Sequence, residues 1–227
     1  QLINSLLGGL DGRSRNILKN RFGLNDGDKI GITLATLGQE LGVTRERIIQ
    51  IEAQALHRVR FGIREGIGAL FFEKVKDRLS YFGGVRCLSA LASDLSPTFA
   101  IVGKNRSLFE NQVRFLIEAY GHPMYQAENS NFHSLWHTDK TSLDLVRVFC
   151  RNLNESLENK RKEVLDSGKW DKIFSQAVKL NKISEAVGLN YISTSKNFSI
   201  NPYGDFGLNN WPEIKPKTMR DKAYLIL

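Results

Sequence analysis

Residues Thr33 to Arg60, TLATLGQELGVTRERIIQIEAQALHRVR, carry the pattern from which the fold of the N-terminal part of this chain is predicted. A first short helix is predicted behind Thr33, a residue type that caps helix N-termini, because leucines recur after it at helical spacing: Leu34, Leu37 and Leu41. Gly42 is placed to end this helix, and Thr44 is placed to cap a second one. The pattern therefore predicts two helices joined by a tight turn.

The second helix is predicted to be amphipathic. Its buried stripe should be formed by residues that recur every three or four positions: Ile48, Ile51, Ala55 and Val59. Its other face is polar, with Arg45 at the tip followed by Glu46, Ile49, Gln50, Gln54, His57 and Arg60. A helix-turn-helix that presents such a face to the major groove of duplex DNA fits this pattern. A plain helical hairpin with a solvated charged face is the alternative.

The residues at the tip of the second helix have the chemistry needed to read bases. Arg45 can bond guanine through two donors, Gln50 can do the same to adenine, and Glu46 can accept a hydrogen bond from cytosine. Ile49 has no hydrogen-bonding group. It either presses on a thymine methyl group or is one of the isolated apolar residues that are common on protein surfaces.

Residues 10–60 resemble region 4 of the sigma-70 family of transcription initiation factors. The matching residues stand in the family's order and spacing: Arg21-Phe22-Gly23-Leu24, Thr33-Leu34, Gly38, Leu41-Gly42-Val43-Thr44-Arg45-Glu46-Arg47-Ile48, Gln50-Ile51-Glu52-Ala53 and Ala55-Leu56. The resemblance implies that the helix starting at Thr44 reads an upstream promoter element in double-stranded DNA. It also implies that this segment docks on the flap of the beta subunit of core RNA polymerase.

Base contacts are accordingly expected at Arg45, Glu46, Ile49 and Gln50, and contacts to the DNA backbone or to polymerase at a second set: Thr33, Leu34, Thr44, Arg47, Arg58, Arg60, Lys19 and Arg21. The chain departs from primary sigma factors at two positions. Ile49 stands where an Arg is usual, and Gln54 stands where a Lys is usual. Two cations are thereby lost, so we expect a changed promoter preference and weaker, less salt-dependent binding.

The positive charge of the chain agrees with a DNA-binding protein, and its other sequence features indicate a cytoplasmic one. The 227-residue chain has a formal charge of +8, of which residues 1–64 carry half in just over a quarter of the length. The only two cysteines, Cys87 and Cys150, lack metal-ligand spacing and are interpreted as buried reduced thiols. No signal peptide and no apolar run of about 20 residues is visible, so a cytoplasmic location is expected.

The part of the chain after Arg60 shows helices followed by aromatic, turn-rich hairpins, and this order occurs twice. We interpret the repeat as tandem winged-helix units with small β-hairpin wings in a mainly α-helical protein. The first unit is predicted to have helices at residues 67–82, 85–95 and 108–120, and strands at 124–126 and 132–136. The second is predicted to have helices at 142–165, 182–187 and 191–196, and a hairpin at 198–208.

The segment from Trp211 to Leu227 resembles the linker and first helix of a HARE-type helix-turn-helix domain, as found in the delta subunit of RNA polymerase. The predicted division is therefore a sigma region 4-like domain at 1–64, winged-helix-like domains at 65–140 and 141–212, and a truncated HARE-type domain at 213–227. The two tryptophans that follow the wings, Trp136 and Trp211, either cover the unit cores or take part in DNA binding, and the first role is favoured.

No arrangement of residues predicts catalysis, a metal site or a cofactor. His133 and His137 have a spacing that would place both rings on one side of a helix, but they fall in a predicted wing and lack a suitably placed carboxylate. The basic cluster at residues 160–162 is interpreted as a group of cations that suits the end of a long helix. We expect a protein that is not an enzyme.

Three functions remain open from the sequence. The first is a sigma factor-like protein that recognises an upstream promoter element and contacts RNA polymerase. The second is a stand-alone transcription regulator that uses the same kind of DNA reader. The third is the DNA-targeting portion of a DNA-modifying or restriction enzyme, because HARE-type domains accompany such enzymes.

Overall fold

The structure, a computed structural model, describes residues 2–25, 31–99 and 106–224. It is mainly helical and contains two small antiparallel sheets. The helices are α1 (Leu2–Gly8), α2 (Gly12–Phe22), α3 (Leu34–Glu40), α4 (Arg45–Arg64), α5 (Ala69–Tyr81), α6 (Leu88–Leu95), α7 (Arg106–Tyr120), α8 (Lys140–Asn159), α9 (Arg161–Ser167), α10 (Trp170–Leu180), α11 (Glu185–Thr194) and α12 (Met219–Tyr224). The strands are β1 (Val85–Cys87), β2 (Met124–Gln126), β3 (Leu135–His137), β4 (Phe198–Ile200) and β5 (Phe206–Leu208).

The chain divides into two compact units, each made of two segments. Unit 1 consists of Gln1–Arg78 and Leu88–Pro123, and unit 2 consists of Leu79–Cys87 and Met124–Leu227. This is a division by packing, whereas the four segments proposed above are a division by sequence motif. The boundaries at residues 64, 140 and 212 stay predictions.

In unit 1, helices α2, α3 and α4 pack around a small apolar core. Ile17, Leu37, Ile48 and Ile51 form its buried centre. Helix α7 covers a second side of the same bundle, where the rings of Phe22 and Phe115 meet edge to face with centroids 5.2 Å apart. The side-chain amide of Asn111 in α7 also donates to the carbonyl of Gly23, which follows α2, at 3.2 Å. Unit 1 therefore includes more than the segment that resembles region 4.

In unit 2, three short strands form an antiparallel sheet in the order β1-β3-β2. Trp136 in the central strand pairs with Arg86 of β1 and with Tyr125 of β2. Trp136 is buried, and so are its neighbours Leu135 and His137. The predicted pairing of 124–126 with a strand that contains Trp136 and the buried position of this tryptophan are thus confirmed. The predicted bounds 132–136 are corrected, because β3 begins only at Leu135 and Phe132 bridges to Ser195 instead.

The rest of unit 2 packs helices α8, α10 and α11 and the hairpin β4–β5 around one large core. The hairpin pairs Phe198 with Leu208, as predicted, and turns between Ile200 and Phe206. Trp211 is buried, and its indole N–H donates to the Glu158 carboxylate at 2.8 Å. This tryptophan covers the core, which confirms the favoured interpretation.

Four predicted elements of unit 2 and its flanks are corrected. The helix predicted at 85–95 starts as strand β1 and becomes helical only at Leu88. The helix predicted at 142–165 breaks at Lys160 into α8 and α9. A single helix, α11, replaces the two predicted at 182–187 and 191–196, and α10 was not predicted at all.

These corrections have a physical cause in packing between distant residues. Gly188 suggests a helix break in the sequence, yet a Cβ atom there would lie 2.9 Å from the ring of Phe174, so glycine is needed for close packing of α11 on α10. Asn190 is buried and donates to the carbonyls of Phe82 and Val85, both at 2.9 Å. Tertiary contacts therefore override the weak helix propensity of these two residues.

Candidate nucleic-acid interface

Helices α3 and α4 form a helix-turn-helix whose two N-termini are capped as predicted. The Thr33 hydroxyl accepts from the backbone N–H of Thr36, and the Thr44 hydroxyl accepts from that of Arg47, both at 3.2 Å. Gly42 lies between the helices with φ +62°, a left-handed conformation that glycine adopts without strain. The start of α4 is thus fixed by local hydrogen bonds.

The angle between the two helices depends on the close approach of α3 to the turn. The backbone N–H of Val43 donates to the Gly38 carbonyl at 2.9 Å. A Cβ atom at Gly38 would lie only 2.8 Å from the Val43 carbonyl oxygen. Any side chain at this position would therefore push α3 away from the N-terminus of α4.

Helix α4 buries one face and exposes the other in the predicted pattern. Ile48, Ile51, Ala55 and Val59 are buried in unit 1. The four residues expected to read bases are all exposed at the N-terminal end of the helix: Arg45, Glu46, Ile49 and Gln50. Ile49 is 37% exposed, so its side chain has apolar surface available to a partner.

Arg47 and Gln50 interact on the exposed face of α4. The Arg47 guanidinium donates to the side-chain carbonyl oxygen of Gln50 at 3.0 Å. This bond occupies an acceptor of the Gln50 amide, so in this conformation the amide offers its N–H donors to a partner. No sequence pattern predicts this pairing, which links a residue assigned to the DNA backbone with one assigned to bases.

The remaining candidates for backbone contacts occupy different environments. Thr33, Thr44 and Arg58 are exposed, although the two threonines also act as helix caps. Leu34 is half-buried and packs against the core of unit 1. Thr36, which was not predicted, shares a hydrogen bond with the Thr33 hydroxyl at 2.8 Å and is exposed beside it.

Three cations assigned to the DNA backbone are partly buried, and two of them have partners within unit 1. Arg60 donates to the Ala119 carbonyl of α7 at 2.8 Å. Arg21 lies 3.4 Å from the Glu52 carboxylate and donates to the Ile32 carbonyl at 3.4 Å. Lys19 is half-buried. Their roles at DNA stay predictions, but Arg60 and Arg21 already hold α4 to α7 and α2 to α4.

The carboxyl group of Glu52, which pairs with Arg21, makes this contact between α2 and α4 sensitive to pH. Burial raises the pKa of its carboxyl group, and the neighbouring Arg21 opposes that rise. Compared with the unfolded chain, the folded protein therefore favours the protonated form of Glu52. The contribution of this group to the stability of the fold is fully present below its ordinary pKa of 4.5 and is lost as the pH rises through the higher pKa of the folded state.

Residues 6–60 match the family model of sigma-70, region 4. This region 4 segment contains α2, α3 and most of α4, and its helix-turn-helix is the one whose caps and exposed face are described above. The match includes the predicted 10–60 and begins four residues earlier. It supports a sigma factor-like, DNA-binding role in transcription for this segment.

One curated relative is the RNA polymerase sigma factor SigA4 of Synechococcus elongatus. It is 47% identical to this chain over 58 residues, which make up 26% of the chain. The chain covers only 18% of the length of that relative. No solved structure matches the chain. This relative thus matches only about a quarter of the chain, and the HARE-type assignment at the C-terminal end stays a prediction.

Two further observations concern other kinds of site. Among residues 2–25, 31–99 and 106–224, no group of three or more His, Cys, Asp and Glu side chains is placed to hold a metal ion. His137 is buried with its Nδ1 atom 3.0 Å from the Asp139 carbonyl, whereas His133 is exposed. In the same part of the chain, no helix has the length and apolar character needed to cross a membrane.

Proposed function

We propose that the region 4 segment binds double-stranded promoter DNA and recognises an upstream promoter element by placing the N-terminal end of α4 in the major groove. The observation that carries this proposal is the exposed face at the start of α4, held by a capped helix-turn-helix. The action is non-covalent, with no catalytic step and no cofactor. We place the protein in the cytoplasm.

The base-reading roles follow from side-chain chemistry. Arg45 donates to guanine, Glu46 accepts from cytosine, and the exposed part of Ile49 contacts a thymine methyl group. Gln50 reads its base with the N–H donors that its bond to Arg47 leaves available. Thr33, Thr44, Arg47 and Arg58 contact phosphates, which fix the register without reading sequence.

We propose core RNA polymerase as the protein partner, through the flap of its beta subunit. The support is the family match of residues 6–60. The segment α8 to β5 is proposed to be winged-helix-like, because a long helix and two further helices precede a hairpin. Helix α12 begins after a Thr218 cap and is proposed to open a HARE-type domain.

The test is a selection of bound sequences from random duplex DNA, carried out with and without purified bacterial core RNA polymerase. We expect an enriched motif of the upstream promoter type that becomes sharper with polymerase. The Arg58→Ala variant is the matched comparison, since loss of a phosphate contact should lower recovery without changing the motif. Selection of no motif by the wild-type protein would contradict the proposal. A motif that is indifferent to polymerase would contradict the polymerase contact and leave a stand-alone regulator.

A further inference from the structure

The positive charge of unit 2 is concentrated in a part of the chain that the proposed function does not use. Residues 160–182 contain seven Lys and Arg against three Asp and Glu, a net charge of +4. Residues 185–210, which form α11 and the hairpin, contain one Lys and two acidic residues, a net charge of −1. Helix α11 and the hairpin are the parts of a winged helix expected to meet DNA, but here they lack the charge for it.

Helix α10 presents two of these seven cations on one side. Ile173, Phe174, Ala177 and Val178 are buried in the core of unit 2. Lys172, Gln176 and Lys179 recur at spacings of four and three on the opposite side, and all three are exposed. We call these three residues the α10 face. The two lysines lie about 10 Å apart along the helix axis.

The ammonium groups of the α10 face are available to a partner. Within the described part of the chain, the side chains of Lys172 and Lys179 have neither an ion-pair nor a hydrogen-bond partner. Three other cations of unit 2 do have a carboxylate partner: Arg161 binds Glu213 at 2.9 Å, Arg147 binds Asp144 at 3.1 Å, and Lys196 binds Glu128. The two lysines of the α10 face differ from these three in having no acidic partner among the described residues that would compete with a phosphate.

A small groove runs beside the α10 face and adds polar groups to it. It has a volume of about 260 Å³, lies between α8 and α10, and shares Gln176 with the face. Asn152, Ser156, Asn159 and Lys160 contribute to its lining. Amide and hydroxyl groups beside a lysine are the residue types that commonly bind phosphate and sugar oxygens.

We propose that the α10 face and its groove are a second contact for duplex DNA, which binds the phosphate backbone without regard to sequence. Duplex DNA carries one negative charge per about 1.7 Å of axis, so two lysines about 10 Å apart on a rigid helix can each meet a phosphate. An anionic membrane fits less well, because the apolar side of α10 is buried in the core and is not available to lipid. The contact lies in unit 2 and does not depend on the proposed role of the helix-turn-helix.

The experiment measures the affinity of the 227-residue protein for a fluorescent random-sequence duplex at several salt concentrations. For Lys172→Ala/Lys179→Ala, we expect the slope of log K against log salt to become shallower by about 2, because each phosphate contact contributes roughly 0.9. The affinity near 0.1 M salt should fall roughly tenfold or more. Lys172→Arg/Lys179→Arg keeps both charges and should restore the slope.

The matched control is Lys76→Ala/Lys140→Ala, which removes two exposed lysines from other helices. An unchanged slope in the α10 variant, or an equal change in the control, would overturn the proposal. So would a loss of binding to anionic vesicles without any loss of binding to DNA. Arg47→Ala/Arg58→Ala, which removes two proposed phosphate contacts of the helix-turn-helix, separates the two proposals in the same assay: a helix-turn-helix that does not bind DNA leaves this variant unchanged, whereas the α10 variant still loses affinity.

Discussion

At the residue scale, the polar face of α4 contains side chains without a partner among the described residues and side chains that already form a hydrogen bond within the protein. Arg45 and Glu46 are exposed, and neither has a side-chain partner in the described part of the chain. Arg60 lies on the same helix but is bonded to the Ala119 carbonyl. Position on a polar face is therefore not sufficient to predict that a cation is available to DNA.

Arg45→Ala is predicted to relax base preference at one position of the bound sequence. Arginine bonds guanine through two donors, and its loss should cost about 1 to 3 kcal/mol of binding free energy. The measurement compares affinities for the selected sequence and for its single-base variants. Arg13→Ala, at an exposed position of α2, is the control and should leave the preference intact. An equal loss on every sequence would instead make Arg45 a phosphate contact.

At the element scale, the helix-turn-helix is determined largely by local signals. Thr33 and Thr44 cap helices that begin directly after them, and leucine and isoleucine repeats mark the buried sides, so the sequence alone predicts α3 and the start of α4. Helix α10 has no side-chain cap, because Lys169 precedes it. It is defined by packing on α8 and α11, which local patterns do not report.

The candidate site could likewise be predicted from the sequence only where local patterns define it. The exposure of the four candidate base-reading residues follows from helical periodicity and was predicted correctly, whereas their role at DNA stays a proposal. The partner of Arg60 lies 59 residues away in α7. The pairing of Arg47 with Gln50 depends on side-chain conformation. Neither contact leaves a pattern in the sequence.

Gly38→Ala is predicted to disturb both the stability of unit 1 and DNA binding. The added methyl group would lie 2.8 Å from the Val43 carbonyl, so backbone must move, and forced packing of this kind costs about 1 to 3 kcal/mol. The change can be measured by urea unfolding and by DNA affinity. Gly12→Ala is the control, because no atom lies within 4 Å of an added Cβ there. Equal stability of the two variants would contradict the role assigned to Gly38.

At the scale of the whole molecule, the stability of unit 2 at high pH depends on two buried acidic groups, the thiol of Cys150 and the phenol of Tyr191. Burial raises the pKa of Cys150 to about 12 and that of Tyr191 to about 12. Cys150 lies next to Tyr191, whose hydroxyl donates to the Gly83 carbonyl at 2.9 Å. Both groups are acids that release their protons more easily in the unfolded chain, so the folded state is favoured at neutral pH and loses this advantage as the pH rises.

Unit 2 is therefore predicted to lose stability between about pH 9 and pH 12, starting with the ordinary pKa values of 9.0 for Cys150 and 10.0 for Tyr191. Tyr191→Phe should reduce the loss by about 1 to 2 kcal/mol, since each pKa unit corresponds to about 1.4 kcal/mol and solvent near the phenol screens part of the effect. All three tryptophans of the chain lie in unit 2, so urea unfolding followed by tryptophan fluorescence reports on it. Tyr203→Phe, which changes an exposed phenol, is the control. If Tyr191→Phe lost as much stability as the wild type between about pH 9 and pH 12, ionisation of Tyr191 would not be a cause of the loss.

The packing of α7 on α2 and α4 limits how the region 4 segment can be exchanged between proteins. Residues 1–64 contain the complete helix-turn-helix, but Phe22 is covered by Phe115 and the Arg60 guanidinium is held by Ala119, both from a segment encoded more than forty codons downstream. A gene fusion that transferred only the first 64 codons would carry the exposed start of α4 together with an uncovered apolar side. Recombination that keeps this segment soluble must therefore also carry α7, or supply another helix to cover the same side.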